Sequence, residues 1–239
     1  TSYNTNNNTN NKKSLLFNFH GYSGNRYNQL SISNMRPIAD EKDIILVYPQ
    51  GREDNNGNPY WGVGLNSIDY IFVETLIDKL IIDYNINSNK VYACGYSNGG
   101  MLSYGLACYL SNKITAVGAI SSTMTNETIQ NENIKHPTPI LSIHGTNDNI
   151  LQYDPPFYFY YASQENIYNF WKNYNNTQTD TINSFTNSIG QTIEHFIFLN
   201  GNNNVSVEHY KINGGGHWWD FYGVDTDIIL CNFFLKYEK

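Results

Sequence analysis

Residues 90–108 read KVYACGYSNGGMLSYGLAC, and this stretch decides the fold. The apolar segment 90–95 predicts a strand, and the residues from about 98 to 110 predict a helix. Between them stands Gly95-Tyr96-Ser97-Asn98-Gly99, a G-x-S-x-G pattern. A strand that turns so tightly into a helix leaves no room for bulky flanking side chains, and glycine provides that tolerance. We therefore interpret Ser97 as a nucleophile raised above the sheet, the alternative being an ordinary glycine-rich turn.

Outward from this turn, short apolar strands alternate with helices. The alternation predicts an α/β fold with a mostly parallel central sheet flanked by helices and no large lid domain. Helix 26–40 contains Pro37, which is expected to disturb its last turn, and helix 68–84 carries apolar residues at three- and four-residue spacing. Segment 51–66 is expected to be a loop. The remaining predicted strands are 14–20, 43–49, 114–120, 139–145, 194–199 and 205–212, and the remaining helices are 162–174 and 224–237.

Length and composition restrict the classes of function. The 239 residues suit one catalytic domain, 14–239, after an Asn-rich arm, 1–13, that we expect to be disordered. A net charge of −7 without a basic cluster argues against nucleic acid as a partner. No apolar run approaches the roughly 20 residues that span a membrane. Cys94, Cys108 and Cys231 permit at most one disulfide and lack metal-ligand spacing, so we expect no metal.

A serine nucleophile needs a base, and His217 is the predicted one. It follows three glycines after the last strand and precedes the last helix, where a parallel sheet of this type delivers catalytic groups. The other five histidines fit the role less well. His20 and His144 precede glycines at strand ends, His195 and His209 lie inside strands, and His136 lies in a loop beside Pro137.

Asp148 is the predicted acid that orients His217. It follows strand 139–145, and the order Ser97, Asp148, His217 is the Ser…Asp…His order of α/β-hydrolases. Asp154 and Asp220 are the competing candidates.

The oxyanion of an acyl-transfer intermediate needs two N–H donors. Asn98, directly after the nucleophile, supplies one, and Tyr22, in the loop after the first strand, is our choice for the second. His20 is expected to support that loop. The chemistry needs no cofactor.

Five segments in register resemble one esterase family, that of polyhydroxybutyrate depolymerases and feruloyl (hydroxycinnamoyl) esterases. The segments are FNFHGYSGN (17–25), DIILVYPQG (43–51), VYACGYSNGGMLSYGLAC (91–108), ILSIHGTNDNILQYD (140–154) and GGGHWW (214–219). The resemblance implies an α/β-hydrolase fold, ester hydrolysis through an acyl-enzyme on the same three residues, and frequent secretion. Loops 59–62 and 218–221 depart from the family pattern, and both border the predicted acyl pocket.

We expect a secreted, monomeric serine esterase whose substrate is a small ester or an esterified polysaccharide, with feruloyl esters of plant cell walls favoured. The first residue, Thr1, is compatible with a mature form whose leader has been removed. Trp61, Trp218 and Tyr96 are the predicted substrate-binding residues, since flat aromatic rings suit a phenolic acyl group or a sugar. A polyhydroxybutyrate-type depolymerase and an acetyl xylan esterase are the alternative enzymes. A carbohydrate-binding module without catalytic activity is the alternative of another class.

Overall fold

The computed structural model describes residues 12–130, 134–155 and 160–239, and within them the strands of one large sheet form the centre. This sheet has eight strands in the order β2-β1-β5-β6-β7-β10-β9-β8. They are β1 (Lys13–Phe19), β2 (Ile44–Val47), β5 (Ile86–Tyr96), β6 (Ala116–Ile120), β7 (Ile140–Gly145), β8 (Thr179–Thr186), β9 (Thr192–Leu199) and β10 (Val207–Ile212). The strands from β2 to β10 in that order pair in parallel, and β9 is antiparallel to β10 and to β8. The predicted mostly parallel α/β architecture is confirmed.

Helices cover both faces of the sheet, which is why the central strands are apolar on both sides. Along β1, Leu15 and Phe17 face one core, which includes residues of α3, α4 and α6, while Leu16 faces a second core that includes residues of α2 and α7. The described helices are α1 (Arg26–Ile32), α2 (Arg36–Glu41), α3 (Ile68–Asp83), α4 (Asn98–Tyr109), α5 (Asn126–Ile129), α6 (Gln164–Asn175) and α7 (Thr226–Phe234). None of them is long and apolar enough to cross a membrane.

The predicted single helix 26–40 is wrong, because the chain forms two helices there. α1 ends at Ile32, and α2 begins at Arg36 with Pro37 in its first turn. Proline lacks an N–H, and the first turn of a helix is where that donor has no partner in any case. The break therefore falls before Pro37 instead of near the end of a longer helix.

The buried face of α3 also differs from the prediction. Its spacing favoured an apolar face that included Ile68 and Ile71, yet both side chains are 60% exposed. Tyr70, Val73 and Ile77 are buried instead. Apolar residues occur on most sides of this helix, so spacing alone does not select the face that meets the sheet.

Three further differences concern segments of weak pattern. Segment 51–66, predicted as a loop, contains a small hairpin of β3 (Arg52–Glu53) and β4 (Pro59–Tyr60). Strand β8 was missed because its residues are exposed and do not alternate. Residues 1–11 of the predicted arm lie outside the described residues, and Lys13 already belongs to β1.

Five adjacent strands end at the same edge of the sheet, and this arrangement positions the site. β1, β5, β6, β7 and β10 are neighbours and run parallel. Their carboxyl ends lead into the loops that carry Tyr22, Ser97, Ser121, Asp148 and His217. Residues far apart in sequence are thereby brought to one edge.

Candidate active site

Ser97 lies at the turn between β5 and α4, with φ 53° and ψ −117°. A positive φ is uncommon for a residue other than glycine and persists only where the surroundings enforce it. Here the Ser97 N–H donates to the Ile120 carbonyl at 2.9 Å, and the Ser122 hydroxyl donates to the Ser97 carbonyl at 2.8 Å. Strand β6 and the residues after it thus fix the backbone of the turn.

The glycines that flank Ser97 are required by close backbone packing. A Cβ atom at Gly99 would lie 2.3 Å from the carbonyl oxygen of Phe19. A Cβ at Gly95 would lie 2.4 Å from the carbonyl group of Gly99. Both contacts are with backbone, which cannot rotate aside as a side chain can. The packing agrees with the tight turn that the sequence predicts.

A hydrogen bond joins the predicted base to the predicted acid. Nδ1 of His217 donates to Oδ2 of Asp148 at 2.7 Å. Among the described residues, Ser97 Oγ makes no hydrogen bond to the His217 ring. The ring of Tyr96, the residue before Ser97, packs against the His217 ring at a centroid distance of 5.0 Å. Such catalytic hydrogen bonds are often long in free enzymes and tighten when substrate binds.

The Asp148 carboxylate is buried and fully hydrogen-bonded. Oδ1 accepts from the N–H groups of Ile150 at 2.9 Å and Leu151 at 2.8 Å. Oδ2 faces His217 and also lies 3.2 Å from Nε2 of His144. Burial acts to raise the pKa of Asp148, but hydrogen bonds from His144, His217 and Leu151 outweigh it and hold the pKa well below the usual range. The carboxylate is therefore ionised at neutral pH.

Two hydroxyl groups hold the loop that carries His217. The Tyr96 hydroxyl donates to the His217 carbonyl at 2.7 Å, and the Ser121 hydroxyl donates to the Trp218 carbonyl at 2.7 Å. Burial raises the pKa of Tyr96 to about 12, so its hydroxyl remains a donor at ordinary pH. Sequence reasoning missed both contacts, because neither residue type carries a motif that predicts a loop contact.

The loop after β1 lies against the nucleophile, as an oxyanion donor requires. A Cβ at Gly21 would lie 3.4 Å from Cβ of Ser97. In the described part of the chain, neither the Tyr22 N–H nor the Asn98 N–H donates to another backbone carbonyl. The oxyanion role of these two N–H groups stays a prediction.

His20 supports this loop, as predicted. Its Nε2 accepts from the Gly51 N–H at 2.9 Å, and its Nδ1 donates to the Gly21 carbonyl at 2.8 Å. Burial lowers the pKa of His20, which favours the neutral ring that this pattern needs.

Trp61 is buried, which contradicts the prediction that it forms a wall of the substrate pocket. Its side chain is 1% exposed and packs edge-on against Phe19. The indole N–H donates to the His20 carbonyl at 2.9 Å. The Asn98 side chain accepts from the Trp61 N–H at 2.7 Å and donates to its carbonyl at 3.0 Å. Trp61 therefore joins the loop after β1 to the start of α4 from within the core.

Trp218 remains accessible, unlike Trp61. Its side chain is 42% exposed, and its ring meets Tyr222 edge-on at a centroid distance of 5.6 Å. Tyr96 is half-buried between the nucleophile turn and the His217 loop. Of the three predicted substrate-binding residues, Trp218 offers the largest open surface.

The competing candidates lie in other environments. His195 pairs with Glu208 at 2.9 Å, His136 is exposed, and His144 is completely buried. Asp154 is an exposed loop residue, and loss of solvation raises the pKa of Asp220, which lies just before α7. Within the described ranges, the hydrogen bond between His217 and Asp148 joins a partly exposed imidazole to a buried carboxylate.

Metal ligands do not cluster in the described residues: no group of three or more His, Cys, Asp or Glu side chains is arranged to hold a metal ion. The three cysteines are free and buried, and burial raises the pKa of each thiol.

Known proteins resemble this chain in sequence and in structure. The sequence model of the phospholipase/carboxylesterase family matches residues 66–200, more than half of the chain. The bifunctional acetylxylan esterase/xylanase XynS20E of Neocallimastix patriciarum is 28% identical over 208 residues, which cover 85% of this chain and 28% of that protein. Feruloyl esterase B of Piromyces equi is 27% identical over 228 residues, which cover 87% of this chain and 41% of that protein. The chain thus spans less than half the length of either relative.

Solved structures share the fold at low sequence identity. Acetyl xylan esterase from Aspergillus awamori superimposes with a TM-score of 0.68 at 16% identity, covering 93% of this chain and 89% of that chain. The Bacillus cereus carboxylesterase gives a TM-score of 0.58 at 17% identity, covering 94% and 88%.

The sheet, its helices and the matching family model define the class of the protein as an α/β-hydrolase. Within that class, the chain belongs to the phospholipase/carboxylesterase family. The predicted resemblance is confirmed at the level of an α/β-hydrolase esterase family.

Proposed function

We propose that the chain hydrolyses esters through an acyl-enzyme formed on Ser97. Oγ of Ser97 attacks the ester carbonyl carbon while Nε2 of His217 accepts its proton. The N–H groups of Tyr22 and Asn98 bind the oxyanion of the tetrahedral intermediate. The intermediate collapses, and the leaving alcohol takes the proton from His217. Water then attacks the acyl group by the same route and releases the acid.

The hydrogen bond between His217 and Asp148, at 2.7 Å, is the observation that carries this proposal. The carboxylate holds the imidazole proton on Nδ1 and so leaves the Nε2 lone pair for the serine. It also stabilises the imidazolium that forms during attack.

A feruloyl (hydroxycinnamoyl) ester on plant cell-wall polysaccharide is the substrate class that we propose. The relative from Piromyces equi is named a feruloyl esterase. Trp218, next to His217, offers an exposed flat ring on which a phenolic or sugar ring can stack.

A cavity of about 240 Å³ is lined by Thr123, Ile150, Leu151 and Tyr161, among others. Thr123 follows Ser122, whose hydroxyl bonds to the Ser97 carbonyl. Ligand pockets usually measure about 300 to 1,000 Å³. This cavity is smaller, and the described residues that line it include neither Ser97 nor His217, so the proposed acyl group does not rest on it. An acetyl group on xylan is the second candidate, favoured by the name of the Neocallimastix relative.

Hydrolysis of p-nitrophenyl acetate by wild type and Ser97→Ala tests the chemistry. We expect kcat/KM to fall by at least about 10⁴-fold in the variant, because the nucleophile is lost. Ser184→Ala, on the exposed strand β8, is the matched control and is expected to keep full activity. Full turnover by Ser97→Ala would remove Ser97 from the mechanism.

A panel of methyl ferulate, acetylated xylan and polyhydroxybutyrate tests the acyl group. We expect methyl ferulate to give the highest kcat/KM, and Trp218→Ala to raise KM for methyl ferulate more than for p-nitrophenyl acetate. Preferential release of acetate from xylan would instead assign the acetyl specificity.

Such a substrate lies outside the cell, so we propose that the enzyme is secreted and that it acts as a monomer without a nucleic-acid or membrane partner. Size-exclusion chromatography with light scattering tests the oligomeric state, and a mass of a dimer would contradict it.

A further inference from the structure

His144 is a second imidazole against the proposed catalytic carboxylate. Its Nε2 lies 3.2 Å from Oδ2 of Asp148, the same oxygen that accepts from His217 at 2.7 Å. His144 belongs to β7 and is completely buried, so it does not reach a substrate. Its effect on the reaction therefore passes through Asp148.

Both ring nitrogens of His144 face oxygen atoms that only accept hydrogen bonds. Nδ1 lies 3.0 Å from the Ser122 carbonyl, and Nε2 lies 2.7 Å from the Leu151 carbonyl as well as close to Asp148. A neutral imidazole has one N–H and one nitrogen lone pair. In the neutral form, one lone pair would point at a carbonyl oxygen within hydrogen-bond distance, which is repulsive. A ring with both nitrogens protonated avoids this repulsion and donates to both carbonyls.

His209, on the adjacent strand β10, gives the internal comparison. It is also completely buried, but its Nδ1 lies 2.7 Å from the Ser142 hydroxyl and its Nε2 lies 2.8 Å from the Tyr153 hydroxyl. Hydroxyl groups both donate and accept, so a neutral ring is satisfied there. Burial, and to a lesser degree the charge of His144, lowers the pKa of His209 to about 3. Two equally buried histidines thus differ in the chemistry of their partners.

The surroundings of His144 supply one counter-charge. A buried cation is costly unless it is paired, and the Asp148 carboxylate provides the pair. The Tyr153 ring meets His144 edge-on at 5.8 Å. On β10, His209 and Lys211 face His144. Lys211 is the register partner of His144, and its ammonium pairs with Glu194 at 2.7 Å.

We propose that His144 is a buried imidazolium and a positioning residue for Asp148. Its two N–H groups donate to the Ser122 and Leu151 carbonyls, and its charge pairs with the carboxylate, which holds Asp148 in the orientation that His217 needs. Its charge also offsets that of Asp148 at the carboxylate oxygen that His217 binds. The catalytic consequence rests on the proposed function, whereas the charge state of His144 does not.

Ring-nitrogen NMR of the ¹⁵N-histidine-labelled wild-type protein tests the charge state directly. We expect both His144 nitrogens to carry protons at neutral pH, while His209 shows one protonated and one bare nitrogen. A bare nitrogen on His144 would overturn the proposal. This readout needs no variant to fold and no esterase activity, so it stands even if Ser97→Ala remains active.

The pH profile of kcat/KM for p-nitrophenyl acetate tests the consequence in His144→Gln, a neutral replacement. We expect the acidic limb to move to higher pH by about one unit, as removal of a nearby charge predicts. His136→Gln, at an exposed position, is the matched control and is expected to leave the profile unchanged. A folded His144→Gln enzyme whose acidic limb does not move, even with lower kcat, would show a merely structural role.

Discussion

Replacing Asp148 by Asn tests the site most sharply, because it keeps the side-chain shape and removes the charge. In the wild type, Oδ1 accepts from two backbone N–H groups and Oδ2 faces two imidazole nitrogens. The Asn amide offers one oxygen and one NH₂ group, which only donates. If NH₂ takes the Oδ1 position, it opposes the N–H groups of Ile150 and Leu151. If it takes the Oδ2 position, it opposes His144 and forces His217 into the wrong tautomer.

The expected losses follow from these contacts. Buried donors left without an acceptor cost about 1 to 3 kcal/mol each, so we expect Asp148→Asn to lower the free energy of unfolding by about 2 to 4 kcal/mol. The wrong tautomer of His217 removes the base, and kcat should fall by about 10⁴-fold.

Urea unfolding and p-nitrophenyl acetate hydrolysis measure the two effects. Asp154→Asn, six residues away and exposed, is the matched control for activity and is expected to keep the wild-type kcat. A folded Asp148→Asn enzyme with more than a tenth of wild-type kcat would refute the role of Asp148. A larger loss of activity in Asp154→Asn would transfer that role to Asp154.

Three further outcomes follow from the same geometry. Tyr96→Phe removes the donor to the His217 carbonyl, so we expect the free energy of unfolding to fall by about 1 kcal/mol and kcat to fall about tenfold with KM unchanged. Thermal unfolding and steady-state kinetics measure the two effects. A loss of kcat/KM that comes from KM alone would contradict this prediction. Gly99→Ala places a Cβ 2.3 Å from the Phe19 carbonyl oxygen and should cost about 3 kcal/mol in urea unfolding, whereas Gly57→Ala, at φ 79° in open space, should cost about 1 kcal/mol; equal costs would contradict it. Because the folded-state pKa of Asp148 is depressed, its stabilisation is complete above the ordinary carboxyl pKa and is lost as pH falls toward the folded value. Wild type should therefore lose more unfolding free energy than Asp148→Asn between about pH 5 and pH 3, and parallel curves would contradict this.

Much of the fold and of the candidate site could be predicted from local sequence. The alternation of strands and helices predicted the parallel sheet, since each apolar segment of strand length has to be covered on both faces. The chain order placed Ser97, Asp148 and His217 after three strands, and parallel strands bring their carboxyl ends to one edge. The prediction failed for the buried face of α3, because apolar residues occur on most sides of that helix. It failed for the helix at 26–40, because proline prefers the first turn of a helix and the chain breaks before it.

The sequence by itself determined the strand, the glycine-flanked turn and the helix around Ser97, because steric limits on backbone conformation act over a few neighbouring residues. Only the tertiary structure decided that Trp61 is a buried support and not a pocket wall, that Tyr96 and Ser121 hold the His217 loop, and that His144 shares the Asp148 carboxylate. Those roles depend on which groups meet across separate strands and loops, and on how deeply they are removed from water. Burial and partner chemistry are properties of the assembled fold, and they decide whether a histidine near a strand end acts as a base, a neutral support or a cation.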